Sequence, residues 1–186
     1  RRSAEMISDA ARTMGQMIRD LLAYSRLARA DLPLEPLELP AILERATAQV
    51  AGAVAERQAN IVVEEPLPAA LGHDATLVQV FANLLGNGIK FVPAERTPEL
   101  RVRAEAANRV VRVWVEDNGI GIASEHRDRI FRVFERLHTV EDYAGTGIGL
   151  AIVKKAVERM GGRVGVESLP GHGSRFWVDL PQGGAA

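Results

Sequence analysis

The chain holds 17 glycines, and three short stretches concentrate seven of them: Asp117-Asn-Gly-Ile-Gly-Ile122, Gly145-Thr-Gly-Ile-Gly-Leu150 and Gly171-His-Gly-Ser174. The apolar run Val113-Trp-Val115 ends in Glu116, and the first stretch follows it, opening on the carboxylate Asp117. The second immediately precedes an amphipathic segment, Leu150-Ala-Ile-Val-Lys-Lys155. One such stretch alone reads as a turn. Three in one chain of this size demand a fold that brings bare backbone together at strand and helix ends. Known phosphate loops do not account for them. Gly-x-x-x-x-Gly-Lys-Ser/Thr is absent. Gly-x-Gly-x-x-Gly fails because Leu150 and Ile152 occupy the required last positions counted from Gly145 and Gly147.

The segments around the glycines specify the layers. Residues 60–65 read as a short strand, and 75–91 as a helix with Leu77, Val80, Phe81, Leu84 and Leu85 in helical spacing. Alternating runs from Leu100 and from Val111, joined by Ala107-Asn-Arg109, form a hairpin signature. Residues 125–134 predict a short helix, and 147–160 a longer one stopped by Gly161-Gly162. Residues 163–168 and 174–180 predict a closing hairpin. The pattern gives an α+β fold: a mixed, mostly antiparallel sheet with helices on one face, a two-layer sandwich. A dinucleotide-binding fold would require a parallel sheet.

The N-terminal region is different. Between residues 4 and 28 the only glycine is Gly15 and proline is absent. Ala4, Ile7, Ala11, Met14, Ile18, Leu21, Ser25 and Ala28 follow alternating steps of three and four, a heptad seam that needs partner helices. Pro33, Pro36 and Pro40 then mark 31–40 as a linker or hinge, because proline cannot continue a helix. A second helix is expected over 41–59. The expected organisation is a helical segment 1–30, the linker 31–40, a main domain 41–182 and a tail 183–186.

Charge is nearly balanced, 23 Lys+Arg against 24 Asp+Glu, which argues against a nucleic-acid binder. Without cysteine there are no disulfides and no thiolate metal sites, in keeping with a cytoplasmic protein. No apolar run is long enough to span a membrane, so no membrane contact is expected. The chain opens Arg1-Arg2-Ser3 without methionine and reads as a piece of something longer.

The chemistry of the candidate residues points to a nucleotide. Asp117 is an acceptor-only carboxylate and suits an exocyclic amine such as that of adenine. Gly119 and Gly121 allow a flat base to lie against backbone, with Ile120 and Ile122 as apolar wall. Free amides at the start of the helix after Gly145 attract phosphate. Asn83, Asn87 and Lys90, spaced by four and three, share one helix face. Asparagine carbonyls can ligate magnesium, and lysine can meet a phosphate.

With these residues in place, the chain resembles the catalytic, ATP-binding half of sensor histidine kinases, in the wider GHKL group that includes gyrase, Hsp90 and MutL ATPase domains. The N box is matched by Asn83-Leu-Leu-Gly-Asn-Gly-Ile-Lys-Phe91 and the G1 box by Asp117-Asn-Gly-Ile-Gly121. The F box is matched by Ile130-Phe-Arg-Val-Phe-Glu-Arg136, the G2 box by Gly145-Thr-Gly-Ile-Gly-Leu150, and a last, weaker glycine element by Gly171-His-Gly-Ser174. The stretch "RTMGQMIRDLLAYSRL" resembles the end of the second helix of the family's dimerisation and phosphoacceptor hairpin. Two such hairpins pair into a four-helix bundle in that family. "FERLHTVEDYAGTGIGLAIVKK" resembles kinases linked to phytochrome-type or PAS sensors.

The resemblance implies a Bergerat-type sandwich that binds ATP and Mg2+. It implies that Asn87 holds magnesium with Asn83 beside it, that Lys90 contacts phosphate and that Asp117 reads the adenine amine. Ser174 supports Asp117 through water, and Arg136 reaches the terminal phosphate. Gly119, Gly121, Ile122, Gly145, Thr146, Gly147, Ile148, Gly149 and Leu150 complete the nucleotide-binding set, and residues 137–144 form a lid. Partners implied are a phosphoacceptor histidine hairpin of the same or a partner protomer, a response regulator and a second copy of the full-length protein.

Two departures stand out. Gly86 and Gly88 sit inside the N-box helix, where each costs about 0.5–1 kcal/mol against alanine. None of the four histidines, His73, His126, His138 and His172, lies in the N-terminal helix. The acceptor is therefore expected outside this chain, which should bind ATP without autophosphorylating. Two other classes remain: a nucleotide-sensing scaffold that transfers nothing, and a gyrase- or Hsp90-like ATPase clamp.

Overall fold

The computed structural model describes residues 2–29, 31–137, 143 and 145–183, and the side chains of all these except 2–10, 12 and 13. Five helices and seven strands alternate along them: α1 (Arg2–Arg29), β1 (Glu35–Leu37), α2 (Leu39–Gln49), α3 (Ala51–Arg57), β2 (Asn60–Val63), β3 (Ala70–Gly72), α4 (Asp74–Lys90), β4 (Glu99–Ala107), β5 (Val110–Asp117), α5 (Gly149–Arg159), β6 (Arg163–Ser168) and β7 (Ser174–Pro181). Strands β2-β4-β5-β7-β6 form one sheet, antiparallel except for the parallel β2–β4 pair. The α+β sandwich with a mixed, mostly antiparallel sheet is the fold that the pattern predicts.

Alternation decides which side of the sheet is buried. Val111, Val113 and Val115 of β5, Val102 of β4 and Val178 and Leu180 of β7 point inward. They meet Phe81, Leu84, Leu85 and Ile89 of α4 and Val153 and Val157 of α5. Each such large side chain contributes about 1.5–3 kcal/mol when fully buried. The opposite sheet face carries its own layer. Trp114 and Trp177 lie under the guanidinium groups of Arg103, Arg112 and Arg175, and Arg112 Nε meets buried Asp179 at 2.6 Å.

Several elements differ from expectation. The helix expected over 41–59 begins at Leu39, with Pro40 in its first turn, and breaks at Val50. There the Val50 amide bonds to Thr47 O at 3.1 Å, a tighter turn that ends α2. The helix expected over 125–134 is two single 3₁₀ turns, Ser124–His126 and Arg129–Phe131. Tertiary bonds override helix there: Phe134 takes φ +64° and gives its amide to Gly147 O at 3.0 Å. Within 31–40, Glu35–Leu37 pairs antiparallel with β3, and Leu37 and Leu39 are buried in the core. Only the start of that segment is left to act as a joint.

Helix α1 packs on α5. It turns Met14, Ile18 and Leu21, three members of the heptad seam, outward, with exposures of 63%, 58% and 47%. The face bearing Asp20, Ala23 and Leu27 is the one that meets the domain. No helix among the described residues is long and apolar enough to cross a membrane.

Candidate functional site

Strand β5 ends at Asp117 because the next residues turn away from the sheet. Asn118 is spent on that turn, donating to Thr97 O at 3.0 Å and accepting the Glu99 amide at 3.0 Å. The loop then doubles back: Ile120 donates to Phe91 O at the end of α4, and Gly171 donates to Ile120 O. This is why the glycines are required. A Cβ on Gly121, at φ +73°, would collide with Leu169 O, and one on Gly173, at φ +76°, with Asp117 O. The chain itself fills the space that sequence reasoning reserved for a base beside Gly119, whose Cβ would stand 2.6 Å from Phe91 O.

The result is a cavity of about 350 Å³ between α4, the loop after β5 and the loop before α5. Asn83, Asn87, Lys90, Asp117, Gly121, Ile122, Arg136, Gly145, Thr146, Gly147, Gly149, Leu150 and Ser174 line it. Gly119 stays behind the wall, and Ile148 is fully buried in the core layer. Sequence reasoning missed Phe91 and Phe176 in the lining, and Gln16 and Asp20 from α1, while Tyr143 of the expected lid does line it. The Phe91 and Tyr143 rings meet with centroids 5.1 Å apart and planes tilted by 49°. Of the expected lid, 137–144, only Leu137 and Tyr143 are among the described residues, and His138 lies outside them.

The cavity lining carries charges of both signs. Asp117 Oδ1 accepts the amides of Gly119 at 2.8 Å and Ser174 at 3.1 Å. Burial nevertheless dominates and pushes its pKa up to about 6, the amides opposing that rise. Lys90 and Arg136 stand near the glycine loop, beside Gly145 and Gly147. The Lys90 ammonium rests 4.3 Å from the Phe91 ring centroid and against Gly145, where a Cβ would come within 2.5 Å. Burial, and then the nearby Arg136, lowers its pKa to about 8. Two cations crowded in low dielectric gain from an arriving anion.

The glycine loop is held by contacts on both sides. Arg136 Nη2 donates to Tyr143 O at 2.9 Å, and the Phe134 amide reaches Gly147 O. Thr146 Oγ1 donates to the Asp20 carboxylate of α1 at 2.6 Å. Asn83 Nδ2 donates to Gln79 O at 3.0 Å, which leaves its Oδ1 facing Gly149, where a Cβ would lie 3.0 Å away. Among the described residues no three His, Asp or Glu side chains cluster as a metal cage.

Comparison with known proteins accords with this geometry. Residues 72–184 match the family model for "Histidine kinase-, DNA gyrase B-, and HSP90-like ATPase". Cyanobacterial phytochrome A of Nostoc sp. (strain PCC 7120 / SAG 25.82 / UTEX 2576) is 40% identical over 171 residues, 92% of this chain and 22% of that protein. Sensor histidine kinase AruS of Pseudomonas aeruginosa is 47% identical over 116 residues, 59% of this chain and 11% of that protein. Full-length ShkA in complex with AMPPNP superposes with a TM-score of 0.77 at 33% identity, covering 91% of this chain and 36% of that one. The chain thus spans less than a quarter of the length of these two curated relatives.

Proposed function

Since this chain belongs to the family of histidine kinase-, DNA gyrase B- and HSP90-like ATPases, we propose that it is the ATP-binding catalytic part of a sensor histidine kinase, donating a γ-phosphoryl to a histidine outside residues 1–186. One observation carries the reading: a half-buried carboxylate, Asp117, and a cation pair, Lys90 and Arg136, line one cavity together with the glycines Gly121, Gly145, Gly147 and Gly149. That polarity fits a purine at one end and a triphosphate at the other.

In this reading Oδ2 of Asp117 accepts from the adenine amine, because its Oδ1 already serves two amides. Ile120, Ile122 and Phe176 enclose the base. The amides from Gly145 to Gly149, at the start of α5, face the phosphates. Lys90 neutralises charge along the tail, and Arg136 reaches its end. The donor set suits magnesium, which prefers carbonyl oxygen and keeps few protein ligands beside phosphate oxygens: Asn87 would hold it, with the Asn83 carbonyl next to it. When bound, that ion would neutralise phosphate charge. The work left to the protein is positioning, which is most of what phosphoryl transfer needs.

The outward seam of α1 fits pairing with a second copy, and a response regulator would receive the phosphoryl from the acceptor histidine. The division into a helical segment 1–30 and a main domain belongs to the same proposal, with the joint of 31–40 confined to the residues before Glu35. The test combines this chain with a separately produced phosphoacceptor hairpin and γ-labelled ATP. Label on the hairpin histidine is the expected result. Nucleotide binding with no transfer would make the chain a sensing scaffold, and hydrolysis without acceptor would make it a clamp ATPase.

A further inference from the structure

Ser168, at the end of β6, is 8% exposed and sits among three segments that build the carboxylate end of the cavity. Its Oγ accepts the Ile122 amide at 2.8 Å. It approaches the carbonyl oxygen of Gly173 at 2.7 Å and the hydroxyl of Ser174 at 3.0 Å. Counting protons fixes the direction of every bond. A carbonyl can only accept, so the single Ser168 proton goes to Gly173 O. The bond between the two serines must then be donated by Ser174. Ser168 oxygen is thereby saturated, with one bond donated and two accepted.

The consequence falls on Ser174, which is buried and lines the cavity beside Asp117. Its only proton points back into the protein. What it offers the cavity is lone pairs. Resting on the nucleotide reading above, we infer that Ser168 is a specificity-determining positioning residue: by holding the Ser174 proton, it makes the base end of the cavity acceptor-only and so selects a purine with an amine, not a carbonyl, at position six. A carbonyl there would face the Asp117 carboxylate as acceptor to acceptor, leaving the ring N1–H as the one donor to share between that carboxylate and the Ser174 oxygen. A site with unmatched buried acceptors rejects the wrong group more strongly than a missing apolar contact does.

Sequence reasoning named Ser174 but not Ser168, because a serine at a strand end carries no signal of where its proton goes. The Ser168→Ala variant releases the Ser174 hydroxyl to rotate toward the cavity and donate.

The experiment measures binding of ATP and of inosine triphosphate by calorimetry, in the full 186-residue chain at about pH 7.5. Ser168→Ala is expected to narrow the ATP-to-ITP affinity ratio at least about fivefold, chiefly through tighter ITP binding. Ser168→Thr, which keeps a hydroxyl, retains the wild-type ratio. Loosening of the loop alone would weaken both ligands together, so an unchanged ratio in a folded Ser168→Ala protein overturns the inference. Should that variant not fold, Ser174→Ala decides. An acceptor-only Ser174 predicts loss of ATP affinity with ITP binding unchanged or tightened, and loss of ITP affinity instead overturns the inference. A wild-type chain that binds neither nucleotide removes the nucleotide reading itself, an outcome separate from an unchanged ratio.

Discussion

The carboxylate of Asp20 accepts the hydroxyl proton of Thr146 at 2.6 Å, joining helix α1 to the glycine loop that precedes α5. Asp20 and Gln16 line the same cavity as Lys90 and Arg136. A negative charge therefore stands where the nucleotide reading places phosphate. Substituting Asp20→Asn keeps an acceptor for Thr146 and removes the charge. At moderate ionic strength, nucleotide affinity should rise about fivefold, roughly 1 kcal/mol of relieved repulsion in a half-exposed setting. Titrations of wild type and variant at low and high salt check this. Equal affinities at low salt would show that α1 leaves the loop before nucleotide settles.

Asp117→Asn separates charge from shape. Oδ1 of Asp117 receives both backbone amides, and an asparagine can keep those bonds through its own carbonyl. Its amide nitrogen then replaces the cavity-facing oxygen and presents a donor to a donor. The variant should fold normally and lose about 1–3 kcal/mol of ATP affinity, the magnitude of a hydrogen bond to a charged group. Calorimetry beside a thermal melt distinguishes this from unfolding. Undiminished affinity would remove Asp117 from the base end.

Much of this was legible beforehand because the governing signals are local. Alternation revealed β4, β5 and β7, and the spacing of Leu77, Phe81, Leu84 and Leu85 revealed α4. The residues Asn83, Asn87, Lys90, Asp117 and Arg136 do converge on one cavity. What stayed hidden depends on long-range pairing. β1 and β3 are three residues each, too short for a period, and exist because they pair with one another. The 3₁₀ turns before Phe134 answer to a bond with Gly147. Gln16 and Asp20 enter the site only through the packing of α1 on α5, which no spacing within α1 encodes. The glycines were recognised for the right loops, but Gly119 and Gly121 answer first to backbone crowding from Phe91 and Leu169.

The raised pKa of Asp117, to about 6 from an ordinary 3.8, sets a pH dependence with a definite sign. Between those two values the folded chain holds a proton that the unfolded chain has lost. Stability should therefore fall as pH rises through this window and level off above about 6, by up to roughly 3 kcal/mol for a shift of this size. Nucleotide binding has the opposite slope. The amine needs the ionised carboxylate, so affinity should drop by up to about tenfold per unit as pH falls below about 6. Denaturant melts and binding titrations across the window check both slopes. In Asp117→Asn each should flatten, and a variant that keeps either slope assigns that titration to another group.

Gly86 and Gly88 lie two residues apart in α4 and should respond oppositely to alanine. A Cβ on Gly86 meets only Val50 Cγ1, at 3.7 Å, an ordinary contact. Gly86→Ala should therefore stabilise the chain by about 0.5–1 kcal/mol, by restricting the unfolded backbone and favouring helix. A Cβ on Gly88 would stand 2.7 Å from Leu100 Cδ2 and 3.4 Å from Asp117 Cβ. Leu100 is 2% exposed and has little room to retreat. Gly88→Ala should cost about 1–3 kcal/mol as overpacking and weaken nucleotide binding by displacing Asp117. Urea melts of the two variants, each paired with an ATP titration, give the comparison. If Gly88→Ala were as benign as Gly86→Ala, helix α4 would not be seated against β4 and β5 as closely as described, and the placement of Asp117 relative to Asn87 would need revision.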